Sequence, residues 1–228
     1  MRETHRRAPK YFLFSLKRGI LTAMLVVDIE ASGTDYAKHS IVSLGALDLE
    51  HPDNRLYLEC RVWDGAHIDD DALAVNGFSR EEVTDENKMS EEELLRNFLA
   101  WAEGMRDRTL AGQNVSFDRD FIKAACLRWG EEFPFAYRTL DTHSMAYLHM
   151  VLRGIAPPFD EEHHRSALNL DAVLNYVGIP DEPAPHNALT GALSHAEVLH
   201  RLLYGTALLP EFSSYPVPEG FPRAQVPH

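Results

Sequence analysis

Cysteine is almost absent: Cys60 and Cys126 are the whole supply in 228 residues. Two thiols make neither a disulfide framework nor, by themselves, a zinc site. A reducing cytoplasm is the default setting for such a chain. Positive charge is also short, with 22 Lys and Arg against 35 Asp and Glu and a net charge of -13. That balance excludes a protein that coats nucleic acid with a broad basic surface. It still admits an enzyme that grips a few phosphates through metal ions. Long apolar runs are missing as well. Tyr11-Phe12-Leu13-Phe14-Ser15-Leu16 is too short to span a bilayer and is cut off from Ile20-Leu21 by Lys17 and Arg18. It lacks the uninterrupted apolar stretch and small-residue cleavage site of a secretory signal. No membrane is expected as a partner, and no internal repeat is visible.

What is present suits a soluble globular domain: 45% of residues are hydrophobic and 25% charged. The charge is uneven. Residues 1–23 hold six basic side chains and one acid, which leaves 16 basic and 34 acidic groups for the rest. This segment reads as a poorly ordered basic extension ahead of Met24, with no catalytic role. Residues 24–205 read as one folded domain. Residues 206–228 read as a Pro-rich tail, extended or disordered, with five prolines from Leu209 onward.

Within the domain, Met24–Glu30 is a short β-branched apolar run of the kind that forms a central buried strand. Ser40–Leu49 and Arg55–Trp63 follow after turn residues, and short connections predict an antiparallel meander. Short helices are predicted over Asp70–Val75 and after Ser79, where Glu82 completes a start signal. Ser90 with Glu93 caps a helix over Glu91–Glu103, whose Leu94, Leu95, Phe98, Leu99 and Ala102 share one face. Thr109–Gly112 and Arg138–Leu140 are further strands. Helices are predicted from Phe117 to Trp129, from Asp141 or Thr142 to near Gly154, over Asn169–Val177, and over Ala188–Tyr204. Residues 154–166 read as a loop. Strands first, then helices alternating with strands, define an α/β domain with a mixed sheet.

Two acids interrupt the first strand. Asp28 and Glu30 are two residues apart, so both side chains face the same side of the sheet. Their charges repel, and burial penalises both. Protonation, a basic partner or a divalent metal would relieve this, and hard oxygen ligands suit magnesium or manganese. The plainer alternative is that the strand ends early and both acids face water. A third acid, Asp118, opens the helix after Asn114-Val115-Ser116-Phe117, where a first-turn carboxylate also meets the helix dipole. His186 stands in Pro185-His186-Asn187-Ala188-Leu189 at the entrance to the last long helix.

In this order, D-x-E on the first strand, N-x-x-F-D before a helix and H-N-A-L before the last helix, the chain resembles the DEDD exonucleases that use a catalytic histidine. That superfamily includes proofreading exonucleases, ribonuclease T and oligoribonuclease. The resemblance runs from about Met24 to Tyr204. Ala74-Val75-Asn76-Gly77 and Leu140-Asp141-Thr142 are secondary marks of it. It implies a ribonuclease H-like fold, a five-stranded mixed sheet flanked by helices. It also implies metal-dependent 3′–5′ exonuclease activity on short or single-stranded nucleic acid, releasing nucleoside 5′-monophosphates. Two Mg2+ or Mn2+ ions are implied, Asp28 bridging both, Glu30 holding the ion that carries the attacking water, and Asp118 holding the second. His186 is implied as general base. Ala31, Ser32 and Gly33 would approach the terminal nucleotide through backbone amides, with Asn114 and Phe117 also at the substrate. Ribonuclease T and oligoribonuclease relatives further imply a homodimer.

One carboxylate of the pattern is absent. The family's last acid falls five residues after the histidine, and here that position is Gly191. Three accounts stay open. Water or substrate phosphate fills the vacancy at weaker metal affinity, and Gly191→Asp then raises activity or affinity. Alternatively His195, one helical turn on, substitutes as a ligand. Or the chain binds nucleic acid or a protein partner without cleaving. A smaller departure is Gln113 where the family often has His. Asp141 reads as a helix cap, and His163 and His164 as part of a solvated charged loop. Trp63, Trp101 and Trp129 read as core or interface anchors, and the cysteines as small core residues.

Overall fold

The computed structural model describes residues 24–221. The predicted basic extension over 1–23 and the last residues, 222–228, lie outside the described residues. The three predicted strands of the meander form β1 (Leu25–Ala31), β2 (Ile41–Asp48) and β3 (Arg55–Glu59), paired antiparallel. Next come α1 (Asp70–Asn76), α2 (Arg80–Val83) and α3 (Glu91–Ala102). β4 (Leu110–Gly112) and β5 (Leu140–Asp141) add parallel to β1, on either side of α4 (Ser116–Trp129). The chain continues through α5 (Thr142–Leu152), a ribbon of β6 (Phe159–Asp160) and β7 (Arg165–Ser166), α6 (Leu170–Tyr176) and α7 (Ala188–Tyr204). The five-stranded mixed sheet has the order β3-β2-β1-β4-β5.

The alternation of β1 sorts its side chains between two layers. Leu25, Val27, Ile29 and Ala31 join a core with Leu94, Leu95 and Phe98 of α3 and Phe121, Ile122 and Ala125 of α4. Val26 faces the other way, into a layer built with Ala192, Leu193, Ala196 and Leu199 of α7. α7 buries twelve of its 17 residues, so it is a central helix rather than a surface one. Its outer side is covered by a third cluster from α5 and α6, including Ala146, Met150, Val173 and Leu174. The capping boxes of Ser79 with Glu82 and Ser90 with Glu93 are both formed.

Three local readings change. The third strand stops at Glu59, and Cys60 stays beside β2 by donating its amide to the Val42 carbonyl and its thiol to the Ile41 carbonyl. The loop over 154–166 contains the β6–β7 ribbon, whose two-residue strands are too short for periodicity to register. The tail is folded back rather than extended as far as Phe221, which is 6% exposed. The cause is a buried ion pair on α7. Glu197 accepts the Leu208 and Leu209 amides at 2.9 Å each, while Arg201 donates to the Phe212 and Tyr215 carbonyls at 3.1 and 2.9 Å. Among the described residues no helix is long and apolar enough to cross a membrane.

Candidate active site

Asp28 and Glu30 continue the Val26 row on the α7 face of β1 and are half-buried. β4 pairs only with Leu25 and Val26, so β1 runs on past it with one edge uncovered. The chain leaves β4 through Asn114, at φ +50, and starts α4 beside that edge. Asp118 in the first turn is thereby carried to β1, where its Oδ1 accepts the Ile29 amide at 2.9 Å. It is 2% exposed. Strand alternation thus supplies two acids and a helix start supplies the third, all beside one end of β1.

The histidine arrives on the segment before α7, and that segment is tied down on both sides. Asn175 Nδ2 donates to Asp181 at 2.6 Å, and the Glu182 amide donates to Asp171 at 3.3 Å, both anchors being on α6. The His186 amide donates to the Val75 carbonyl at the end of α1. Asn76 Nδ2 in turn donates to the Ala31 carbonyl at 3.2 Å, which fixes α1 to the end of β1. The Ala-Val-Asn-Gly mark read from the sequence is therefore the clamp that sets the histidine segment against the strand. Asn187 then caps α7, its Oδ1 accepting the Leu189 and Thr190 amides and its Nδ2 donating to the Tyr57 hydroxyl. The His186 side chain is exposed.

α7 lies against the sheet with almost no spacer. A Cβ at Gly45, which pairs with Asp28 across β1–β2, would sit 2.2 Å from the Ala188 carbonyl oxygen. Gly191, in the next part of the helix, is brought directly over Asp28. A Cβ there would fall 2.1 Å from Asp28 Oδ2. The space in which a side chain at 191 would begin is taken up by the Asp28 carboxylate, so Gly191→Asp requires that carboxylate to turn aside.

A fourth acid, which the sequence reading did not single out, enters from the tethered segment. Glu182 Oε1 stands 3.3 Å from the same Cβ position at 191, buried and without a hydrogen-bond partner. The four carboxylates act on one another. Burial, then Asp118, Glu30 and Glu182, push the Asp28 carboxyl well above the usual range. Burial, then Glu182 and Asp118, push Glu30 up to about 7. Burial pushes Asp118 up to about 7 against the opposing pull of the Ile29 amide, with Asp141 adding to the rise. Glu182 is raised by burial, drawn down by the His186 ring, raised again by Asp171 and lowered by the Thr190 hydroxyl. The side chains are gathered without having converged: among the described residues no three His, Cys, Asp or Glu groups stand at ligating distance around one point. An orphaned carboxylate oxygen, an all-oxygen donor set and repulsion that no basic side chain offsets at Asp28, Glu30 or Asp118 nevertheless fit a hard divalent cation.

The other candidates separate clearly. His195 is 1% exposed and faces the Gly112–Val27 backbone, with no carboxylate of the cluster acting on it; burial pushes its pKa down to about 4. It does not fill the place of the missing acid. Ser32 is fully buried, its amide donating to the Ser40 carbonyl and its hydroxyl to the His67 carbonyl. It has no free amide to offer, and neighbouring Ala31 and Gly33 are buried beside it. Asn114 is exposed at the turn, and Phe117 is half-buried with its ring 4.8 Å from that of Phe121. Gln113 accepts the Thr142 hydroxyl and donates to the Leu168 carbonyl, a brace between β5–α5 and the approach to α6. Asp141 accepts the Ser144 and Val115 amides, the capping role read from sequence.

A mixed sheet with acids grouped at one end of its central strand, and a histidine segment clamped beside them, defines a nuclease-like α/β domain of the ribonuclease H-like kind. The family model RNase_T, an exonuclease, matches residues 25–199, and the chain belongs to that family, within the 3′–5′ exonuclease superfamily. Ribonuclease T of Haemophilus influenzae is 26% identical over 166 residues, covering 63% of this chain and 72% of that protein. Ribonuclease T of Yersinia pseudotuberculosis is 26% identical over 168 residues, covering 63% and 77%. Among solved structures, Escherichia coli Exonuclease I in complex with a dT13 oligonucleotide aligns with a TM-score of 0.62 at 15% identity. The alignment covers 78% of this chain but only 40% of that one. Exonuclease I from Methylocaldum szegediense aligns with a TM-score of 0.61 at 20% identity. At those identities the structures establish the fold.

Proposed function

We propose that the chain is a divalent-metal-dependent 3′–5′ exonuclease that releases nucleoside 5′-monophosphates from short or single-stranded nucleic acid. One observation carries this reading: Asp28, Glu30 and Asp118 are brought together at the end of β1, where burial and mutual repulsion raise their pKa values and no basic side chain offsets the repulsion. Mg2+ or Mn2+ held by these acids would supply positive charge at the scissile phosphate and a more acidic water. The residues do the rest. The exposed His186 ring acts on Glu182, and it would be the base that takes a proton from the attacking water. Water oxygen bonds to phosphorus, the bond from phosphorus to the preceding nucleotide's 3′ oxygen breaks, and that oxygen leaves protonated. The net charge of -13 disfavours long polyanions, which directs the reading to single strands and short ends. The matched relatives' names fit: they are ribonucleases, two of the aligned Exonuclease I structures hold dT13 and dA16 oligonucleotides, and another is a zinc-bound complex with single-stranded DNA.

The test is release of mononucleotides from 5′-labelled DNA and RNA oligomers with Mg2+ or Mn2+. A ladder shortening from the 3′ end, abolished by chelator, is expected. No release with either metal over a wide concentration range overturns the proposal. The empty fifth position at Gly191 favours a second reading, binding without cleavage, under which Asp28→Ala leaves oligonucleotide binding and every other function unchanged.

A further inference from the structure

We infer that Glu182 is the carboxylate that replaces the acid absent at Gly191, so that the fourth metal-binding oxygen donor comes from the segment before α7 rather than from the helix. The inference rests on the metal-dependent reading above and names a ligand that the spacing of the motif does not contain.

The position is defined by geometry. A side chain on α7 at 191 would begin at a point 2.1 Å from Asp28 Oδ2 and 3.3 Å from Glu182 Oε1. Glu182 therefore delivers an oxygen, from the opposite direction, to the neighbourhood that an acid at 191 would serve. The two solutions compete for this space, because a Cβ at 191 would require the Asp28 carboxylate to turn from its present position. Glycine is the residue that lets Asp28 and Glu182 share this space.

The chemistry agrees. Glu182 Oε1 is buried and has no hydrogen-bond partner. A buried acceptor left unpaired is costly, and an anionic one more so. Nearly every other buried side-chain oxygen is satisfied: among the described residues only Ser43 Oγ, Glu182 Oε1 and His195 Nδ1 lack a partner. Of these, Glu182 alone is an anion, and it faces the Asp28 side of the cluster. A cation bound between them satisfies the orphaned oxygen and removes the repulsion together.

The carboxylate is also held in place. Its own amide is fixed to Asp171, the preceding Asp181 is fixed to Asn175, and the chain four residues on is fixed to Val75. A ligand on an anchored segment keeps its aim, as one on a free loop would not.

The experiment is Mn2+ titration by calorimetry on the full chain, with thermal melts in chelator as the folding control. Glu182→Gln keeps the shape of the side chain and removes the charge. Its Mn2+ affinity is expected to fall about 10-fold or more, while its melt in chelator stays at or above that of the unaltered protein, since one repelling charge is gone. Gly191→Asp is expected to weaken Mn2+ binding too. Asp28→Asn separates the failures. If Asp28→Asn binds Mn2+ as the unaltered protein does, the metal-dependent reading itself fails. If Asp28→Asn loses Mn2+ while Glu182→Gln keeps full affinity and stoichiometry, the metal site stands and Glu182 is not part of it. Stronger binding by Gly191→Asp overturns the inference equally.

Discussion

Glu30 ties the cluster to pH. Its carboxyl, pushed up to about 7 by burial, Glu182 and Asp118, keeps a proton that an unfolded chain has already released. Between the ordinary glutamate range near 4.5 and about 7 the native state therefore binds more protons, and the stability this gives declines as pH rises through that window. His195, buried and pushed down to about 4, acts in the opposite sense and costs stability as pH falls below its ordinary value of 6.5. The informative quantity is the difference between the unaltered protein and Glu30→Gln. In chelator, melting temperatures from pH 5 to 8 should show a fall with pH attributable to Glu30 that the variant lacks, and saturating Mg2+ should flatten it. Asp28→Asn tests the chemistry itself. On the proposed metal-dependent reading the variant should cut mononucleotide release by about 100-fold or more, with an unchanged circular dichroism spectrum. At this scale the sequence was legible where spacing carries meaning: two acids on a strand, one in a helix's first turn, a histidine at a helix entrance. Glu182 was not legible, because an acid four residues before that histidine matches no period and stands in a Pro-containing segment. Its place is set by hydrogen bonds to α6 that are distant in sequence.

Elements position these residues, and the seam between α7 and the sheet is the tightest of them. Gly45 is central to it, since an added Cβ would meet backbone atoms of Ala188 and Leu189 at 2.2 to 2.4 Å. Backbone cannot swing aside as a long side chain can. Gly45→Ala should therefore destabilise the protein by about 1–3 kcal/mol and weaken Mn2+ binding as well, because lifting the start of α7 moves Gly191 away from Asp28. Urea unfolding and metal titration on one preparation read both effects. A gentler change is Asn187→Ala, which removes a helix cap and should cost about 1 kcal/mol. Helix starts were the most readable feature of the sequence, since Ser79, Ser90, Asp141 and Asn169 all cap by side-chain oxygen. The two-residue strands β6 and β7 were the least readable, since each exists only because the other is there to pair with it, whereas β5 was read from Arg138–Leu140 and forms slightly later, at Leu140–Asp141.

Across the whole molecule, the carboxylate cluster and the ion pair of Glu197 with Arg201 show two ways to keep charge inside a protein. The first is left with an oxygen unpartnered. The second is closed: Arg201 and Glu197 are both fully buried, and their spare hydrogen-bonding capacity is taken by Val177, Leu208, Leu209, Phe212 and Tyr215. Arg201→Met strands the Glu197 charge and should cost about 3–5 kcal/mol, seen as a lower urea midpoint. Mn2+ affinity in the folded fraction should not change, since this pair serves the fold and not the cluster.

The same pair bears on where the molecule can be shortened. The family match ends at residue 199, and the last helix at Tyr204. A version trimmed just after Gly205 would look finished by either measure. It would nevertheless strip two amides from one buried ion and two carbonyls from the other, admitting water to the far side of the helix that carries Gly191.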